Sequence, residues 1–355
     1  MHACKRNDFG NVNWRYYNIE VNCMKKSALT SSEIGSLWAE YINGTATHTV
    51  NKYMYSIIED KDIKEIFHLA IKTFEQQKKA IGDFFKEEGF PVPIGFTDSD
   101  LYLGKQRLFS DAFCLNYLHI MTIHGILGHN TALCISVSKD LRKFYDSSSL
   151  AGNKMYHKTI DLLLEKGLFQ RDPLYYANEN PSFVTNEDFA DGFFGKGRTL
   201  AATEIISLSL NLKKSIMAKT LSIAFSQIAG TKDVRKFLIE SEKTADGQIK
   251  ALAKILQADN LPVPKSLETE VTTSTESPFS DKLILYHMGF LFQAAQNYHG
   301  AGLASAMRTD LVATYEKTIL QNLLVTKNWF DLMVKNKWLE QPPLAPNRNE
   351  IAKNK

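Results

Sequence analysis

With 355 residues, 44% hydrophobic and 23% charged, the chain has the balance of an ordinary globular protein and enough length for two cores. Its net charge of +3 comes from 42 Lys and Arg interspersed among 39 Asp and Glu, leaving no basic stripe of the kind that neutralises phosphates, so nucleic acid is not an expected partner. No stretch reaches the roughly 18 consecutive apolar residues of a membrane span, because the greasiest, Phe113–Val137, is interrupted by Asn116, His119, Thr122, His124 and His129.

Residues 1–28 have no helical pattern and no apolar run of a signal peptide, so they read as a loose tail, with Met24 as an alternative start and the cytoplasm as the expected location. Thr30-Ser31-Ser32-Glu33 is a capping box that predicts a helix start, with Leu29 placed to staple against Ile34. From Ile34 onward, Leu37, Trp38, Tyr41, His48 and Tyr55 share one face of that first helix. Asp60-Lys61-Asp62 turns the chain into a second helix, whose buried line is Ile63, Phe67, Ala70, Phe74, Ile81 and Phe84. Gly89 ends it, and Pro91 and Pro93 cannot continue it. A third helix is expected from about Ser110, a capping candidate, to Tyr145, and a fourth from about Ala151 to Lys166, stopped at Gly167. Of four cysteines, Cys4, Cys23, Cys114 and Cys134, the last two fall on the third helix about 30 Å apart, too far for a disulfide, and free thiols are expected.

The same punctuation then returns. Pro91-Val92-Pro93 and Pro262-Val263-Pro264 differ by 262 − 91 = 171 positions, and Phe109-Ser110-Asp111 and Phe279-Ser280-Asp281 by 279 − 109 = 170. The first offset carries Glu33-Ile34 onto Glu204-Ile205; the second carries His129 onto His299, Tyr145 onto Tyr315 and Leu168 onto Trp338. At this period a repeat is a duplicated domain. Short turns join helices one to two and three to four, and a connection of about twenty residues lies between. The predicted fold is therefore all-α: two tandem ferritin-like four-helix bundles from an internal duplication, each with a long crossover between helices 2 and 3. The expected divisions are a tail at 1–28, a first bundle at 29–175, a linker at 176–198, a second bundle at 199–346 and a disordered tail at 347–355. The first helix of the second copy is apolar on two sides, along Ile205, Leu208, Leu212 and Ile216 and along Leu210, Met217, Leu221 and Ile228, which places it between bundles.

The segments EGFPVPIGFTDSD, RLFSD, LLLEKGL, GFFGKGR, SPFSDKL and WLEQPP resemble the domain of unknown function 3231 family of endospore-forming bacteria, over about Leu29 to Pro346. That resemblance implies a duplicated ferritin-like bundle and carries no catalytic residues, because the family's activity is uncharacterised. Spore-coat proteins among relatives of the fold make a sporulation-associated role an expectation.

Di-iron bundles need inward Glu on two helices and Glu-x-x-His on the other two. Glu65-Ile66-Phe67-His68 has the spacing, yet Glu65 and His68 fall about 200° and 140° from the apolar line, and Glu40 falls about 120° from that of the first helix. His119, His124 and His129 recur every five residues and so turn about 140° per step, which disperses them around the helix. His124 and His48 both lie on apolar stripes and are the candidate metal ligands, although Lys219 replaces His48 in the second copy. His129 and His299 share a position and read as packing residues. Gly125, Gly128, Gly300, Ala301, Gly302 and Ala304 predict close approach along the third helices, with Gly128→Leu destabilising. Gly192–Thr199, GFFGKGRT, lacks the spacing of a phosphate loop. The function expected is a non-catalytic structural or interaction role, through an unidentified protein partner or self-association, with no cofactor. The alternative is a metal- or small-ligand-binding degenerate oxidoreductase with its site in the first bundle.

Overall fold

The computed structural model describes residues 28–174, 180–192 and 197–353. Helices α1 (Ser31–Ile57), α2 (Lys61–Glu87), α3 (Asp111–Ile135) and α4 (Lys139–Glu165) form one four-helix bundle. Helices α5 (Ala202–Ile228), α6 (Lys232–Ala258), α7 (Asp281–Ser305) and α8 (Thr309–Lys335) form a second. Helix lengths of 27, 27, 25 and 27 residues repeat in both halves, so the duplication is retained to the residue. Each bundle has its long crossover between the second and third helices, as expected. Where the sequence suggested a disordered tail after 346, a short exposed helix, α9 (Arg348–Lys353), forms behind Asn347, whose side chain accepts from the Glu350 amide.

The residues that mark the repeat are the ones that staple each bundle. Glu33 is fully buried; its Oε1 accepts from the amides of Val137 (2.9 Å) and Ser138 (2.7 Å), and its Oε2 from Thr30 (2.8 Å). One carboxylate thus ties the start of α1 to the start of α4. Glu204 does the same for α5 and α8, accepting from Ala201, Met307 and Arg308, with Arg198 added. Asp111 holds the α1–α2 turn through the amides of Glu59 and Asp60, and Asp281 holds the α5–α6 turn through Gly230 and Thr231. Gly89 and its equivalent Asn260 both take the left-handed backbone that ends the second helix of each copy.

One boundary differs from expectation. The third helix stops at Ile135 and the fourth begins at Lys139, well before Tyr145 and Ala151. Val137 and Ser138 are held extended by Glu33, and Ser138 caps α4, so the turn is fixed by a carboxylate a hundred residues away.

The two bundles are locked by their crossovers, which pair with each other antiparallel. Leu101 bridges to Phe279 and, by the internal symmetry, Phe109 to Val271. The Tyr102 amide donates to the Pro278 carbonyl (2.7 Å), and the Thr272 amide to Leu108 (3.0 Å). Ser110, the cap of α3, donates its hydroxyl to Glu270, and Ser280, the cap of α7, donates to Asp100 (2.7 Å). Since 100 + 170 = 270 and 110 + 170 = 280, each contact is the twin of the other, and the halves meet about a pseudo-twofold axis as an isologous dimer would. Tyr117 and His287, also 170 apart, bond to each other across that axis at 3.1 Å. The apolar core runs through the seam: Tyr53 packs edge-on against Phe279 at 5.1 Å, and Phe109 against Phe225 at 6.5 Å.

Candidate functional site

An internal duplication sets equivalent clefts on the two sides of the seam, and here they have diverged. On one side the space among Trp38, Phe96, Tyr286 and Trp338 is almost filled by those rings, leaving about 10 Å³. On the other side the equivalents are Ser209, Leu267, Asn116 and Leu168 (38 + 171, 96 + 171, 286 − 170, 338 − 170), and Ala112 stands for Lys282. Beside Ala112, Asn116, Leu168 and Leu267 lies a cleft of about 550 Å³ between α3 and α5, roofed by the second crossover, within the usual range of small-molecule sites.

Its wall is aromatic. His119 lies 5.1 Å from the Tyr156 ring and 6.0 Å from Phe169, with its Nδ1 3.0 Å from the Thr159 hydroxyl. Burial, with Lys213 and Lys214 nearby, lowers the His119 pKa to about 4, so it is neutral at pH 7. At the mouth, Lys213 pairs with Asp172 at 2.8 Å and lies over the Phe169 ring. Gln170 ties the rim to the crossover by donating to the Val263 carbonyl (3.1 Å) and accepting from the Lys265 amide. Lys214, 8% exposed, also lines the cleft, and its Nζ sits 3.3 Å above the Tyr298 ring and 3.3 Å from His124 Nε2. Burial lowers its pKa to about 6, which leaves an amine at neutral pH. The arrangement suits holding a flat apolar body, with hydrogen-bonding groups at both ends.

The structure does not bring His48 and His124 together. His48 packs on Phe74 at 5.0 Å and faces Glu75 (3.9 Å) in a groove bordered by Lys52 and Lys78, and burial lowers its pKa to about 4. His124 instead faces the second bundle, with Nδ1 3.0 Å from the Tyr298 hydroxyl and Nε2 on Lys214. A metal shared by these two histidines has no common lining, and among the described residues no group of three His, Cys, Asp or Glu is placed to hold one. Glu65 and His68 are exposed, as their angles required.

Glu40 corrects the sequence reading. It turns inward, and its Oε1 lies 2.8 Å from His129 Nε2. Burial works against the His129 proton, yet the charge and hydrogen bond of Glu40 prevail and raise its pKa above the ordinary value. A bundle helix faces two neighbours, and 120° from one stripe is the direction of the other. In the second copy Asn211 replaces Glu40, and His299 is fully buried with its pKa lowered by burial to about 4.

The glycines also depart from expectation. Gly128 has open space where a Cβ would go and lines a cleft between α1, α3 and α7; Gly302 does make a close approach, with a Cβ there falling 2.5 Å from the Tyr315 ring. Cys114 is buried and Cys134 exposed, both free. Cys4, Cys23, Met24 and the centre of GFFGKGRT, including Phe193 and Phe194, lie outside the described residues. Among the described residues no helix is long and apolar enough to cross a membrane.

Comparison with known sequences places two successive matches to one family model, described as protein of unknown function (DUF3231), on residues 18–180 and 188–351. No curated protein matches the chain. A solved structure from Bacillus halodurans, described as that of a candidate spore coat protein, is similar over 42% of this chain and 98% of its own, at 17% identity and a TM-score of 0.38. A likeness that loose carries neither fold nor function across.

Proposed function

The chain belongs to the DUF3231 family, matched once by each half, and from that premise we propose a non-catalytic role: it is a rigid interaction body that docks a protein surface through the outer face of α8. The observation that carries this is an exposed apolar stripe. Leu320, Leu323, Leu324, Phe330 and Val334 are 48–66% exposed and fall within about 120° of one another around the helix. The equivalent residues of α4 are Leu150, Asn153, Lys154, Ile160 and Leu164. The second copy has thus replaced two polar groups with leucine and enlarged an isoleucine to phenylalanine, so that α8 carries more exposed apolar surface than α4, around a central Lys327–Asp331 pair, on a face that its own bundle leaves uncovered. An exposed apolar face of this kind around a charged pair marks an interaction site.

The occupant we favour is a second copy of the chain. Lys327 and Asp331 lie within the stripe, paired at 2.6 Å, and two α8 helices laid antiparallel set the lysine of each against the aspartate of the other. Sedimentation velocity over a wide dilution range tests this, with a dimer expected for the natural sequence and a monomer for Leu324→Lys, Phe330→Glu. A monomer at every concentration refutes self-association.

A second reading, that the protein holds a small ligand, is favoured by the unequal clefts.

A further inference from the structure

We infer that the open cleft between α3 and α5 is a binding site for a small aromatic molecule, which takes the place that the protein's own Tyr286 and Trp338 rings occupy in the twin cleft. This deepens the small-ligand reading and is independent of the α8 surface.

The duplicated fold supplies its own control. Both clefts are framed by the same elements: a third helix, the segment after a fourth helix, the opposite copy's first helix and that copy's crossover. The rim contact is kept in both. Glu340 accepts from the amides of Ile94 and Gly95 (2.8 and 2.9 Å), and its equivalent Gln170 bonds to Val263 and Lys265. The frame is therefore the same, and only its contents differ.

In the filled cleft, Phe96 lies tilted against Tyr286 at 4.9 Å, Tyr286 meets Trp329 at 6.3 Å, and Lys282 Nζ lies 4.6 Å over the Phe96 ring. That packing is what the frame accommodates: flat rings beside a lysine. In the open cleft those rings are gone, and other positions supply aromatic walls and a lysine: Tyr156, His119, Phe169 and Lys213 stand where the twin has Thr326, Gly289, Leu339 and Ile42. An aromatic guest there meets the rings of Tyr156, His119 and Phe169 in place of the ring contacts that the filled twin makes internally. At the mouth an outward-pointing anionic group on the guest exchanges for Asp172 on Lys213, and Ile120, Ile123, Leu210 and Ile216 favour an apolar body.

The probe is 8-anilinonaphthalene-1-sulfonate, an aromatic ring system with one anionic group, titrated against the full chain and followed by fluorescence. Saturable binding of one equivalent is expected. Asn116→Tyr, Leu168→Trp refills the cleft with the twin's side chains and should abolish that binding without loss of helicity. The mirror variant, Tyr286→Asn, Trp338→Leu, opens the twin and should raise the stoichiometry to two. The α8 variant Leu324→Lys, Phe330→Glu should leave binding unchanged, because dye held on the α8 face would be lost there instead. Binding that survives the refilled variant, or that disappears with the α8 variant, overturns the assignment, as does failure of the natural sequence to bind. None of these outcomes depends on whether the chain dimerises.

Discussion

Glu33→Ala removes one carboxylate and leaves two helix starts without their acceptor. The amides of Val137 and Ser138, at the entry to α4, and the amide of Thr30, at the entry to α1, all donate to it. Thr30 is near solvent and can turn to water. Val137 and Ser138 bond to a carboxylate that is fully buried, and a buried donor left unsatisfied costs about 1–3 kcal/mol. Val137 is itself 66% exposed and its amide can also turn to water, so the cost falls mainly on the half-buried Ser138 amide and we expect about 1–3 kcal/mol. Chemical denaturation at neutral pH, natural sequence against variant, measures it. The pH dependence provides a second check. Burial raises the Glu33 pKa, but the hydrogen bonds from Ser138, Thr30 and Val137 outweigh burial and hold it below its ordinary 4.5. A depressed carboxylate contributes stability that is complete above the unfolded value and lost as pH falls through the folded one. The gap between the two proteins should therefore be full at pH 7 and narrow below about 4.5. A difference under about 1 kcal/mol at pH 7, or one that does not change in acid, would refute the staple.

The Glu40–His129 pair has the opposite sign: its raised histidine pKa gives stability that is complete below the ordinary value of 6.5 and lost as pH rises through the folded value. Glu40→Gln should accordingly destabilise more at pH 6 than at pH 9, as read from melting temperatures at both. Gly302→Ala drives a Cβ into the Tyr315 ring and should cost about 1–3 kcal/mol, whereas Gly128→Ala, with open space at its Cβ, should be neutral or gain up to about 1 kcal/mol of helix propensity, both measured by denaturant unfolding.

Much of the fold was legible because the residues that punctuate the sequence are also the residues that staple it. Ser110 and Ser280 start the third helices, and Asp111 and Asp281 secure the turns, so a motif chosen for capping reappears at the same interval. The α3–α4 turn was not legible. Ser136-Val137-Ser138 has neither Gly nor Pro, and what breaks the helix there is Glu33, remote in sequence. Glu40 was misread because one stripe was taken as the whole buried face. His48 and His124 share a stripe-like placement but turn to different neighbours, since α3 lies between its own bundle and the other, a fact that no single helix encodes. The cleft left a trace in the sequence: the aligned copies set Leu168 against Trp338 and Asn116 against Tyr286. Such differences become a cavity only once the crossovers are known to pair.

Scanning calorimetry of the Phe67→Ala variant tests most directly whether the two bundles are one body. Phe67 is fully buried in the first bundle, and its truncation should cost about 3–5 kcal/mol. If the paired crossovers and the shared core couple the halves, the natural protein and the variant each melt in a single transition, with calorimetric and van't Hoff enthalpies in agreement, and the variant's whole transition moves down. A variant whose transition splits, with one part staying at the original temperature, would show the bundles to be independent and would contradict the account.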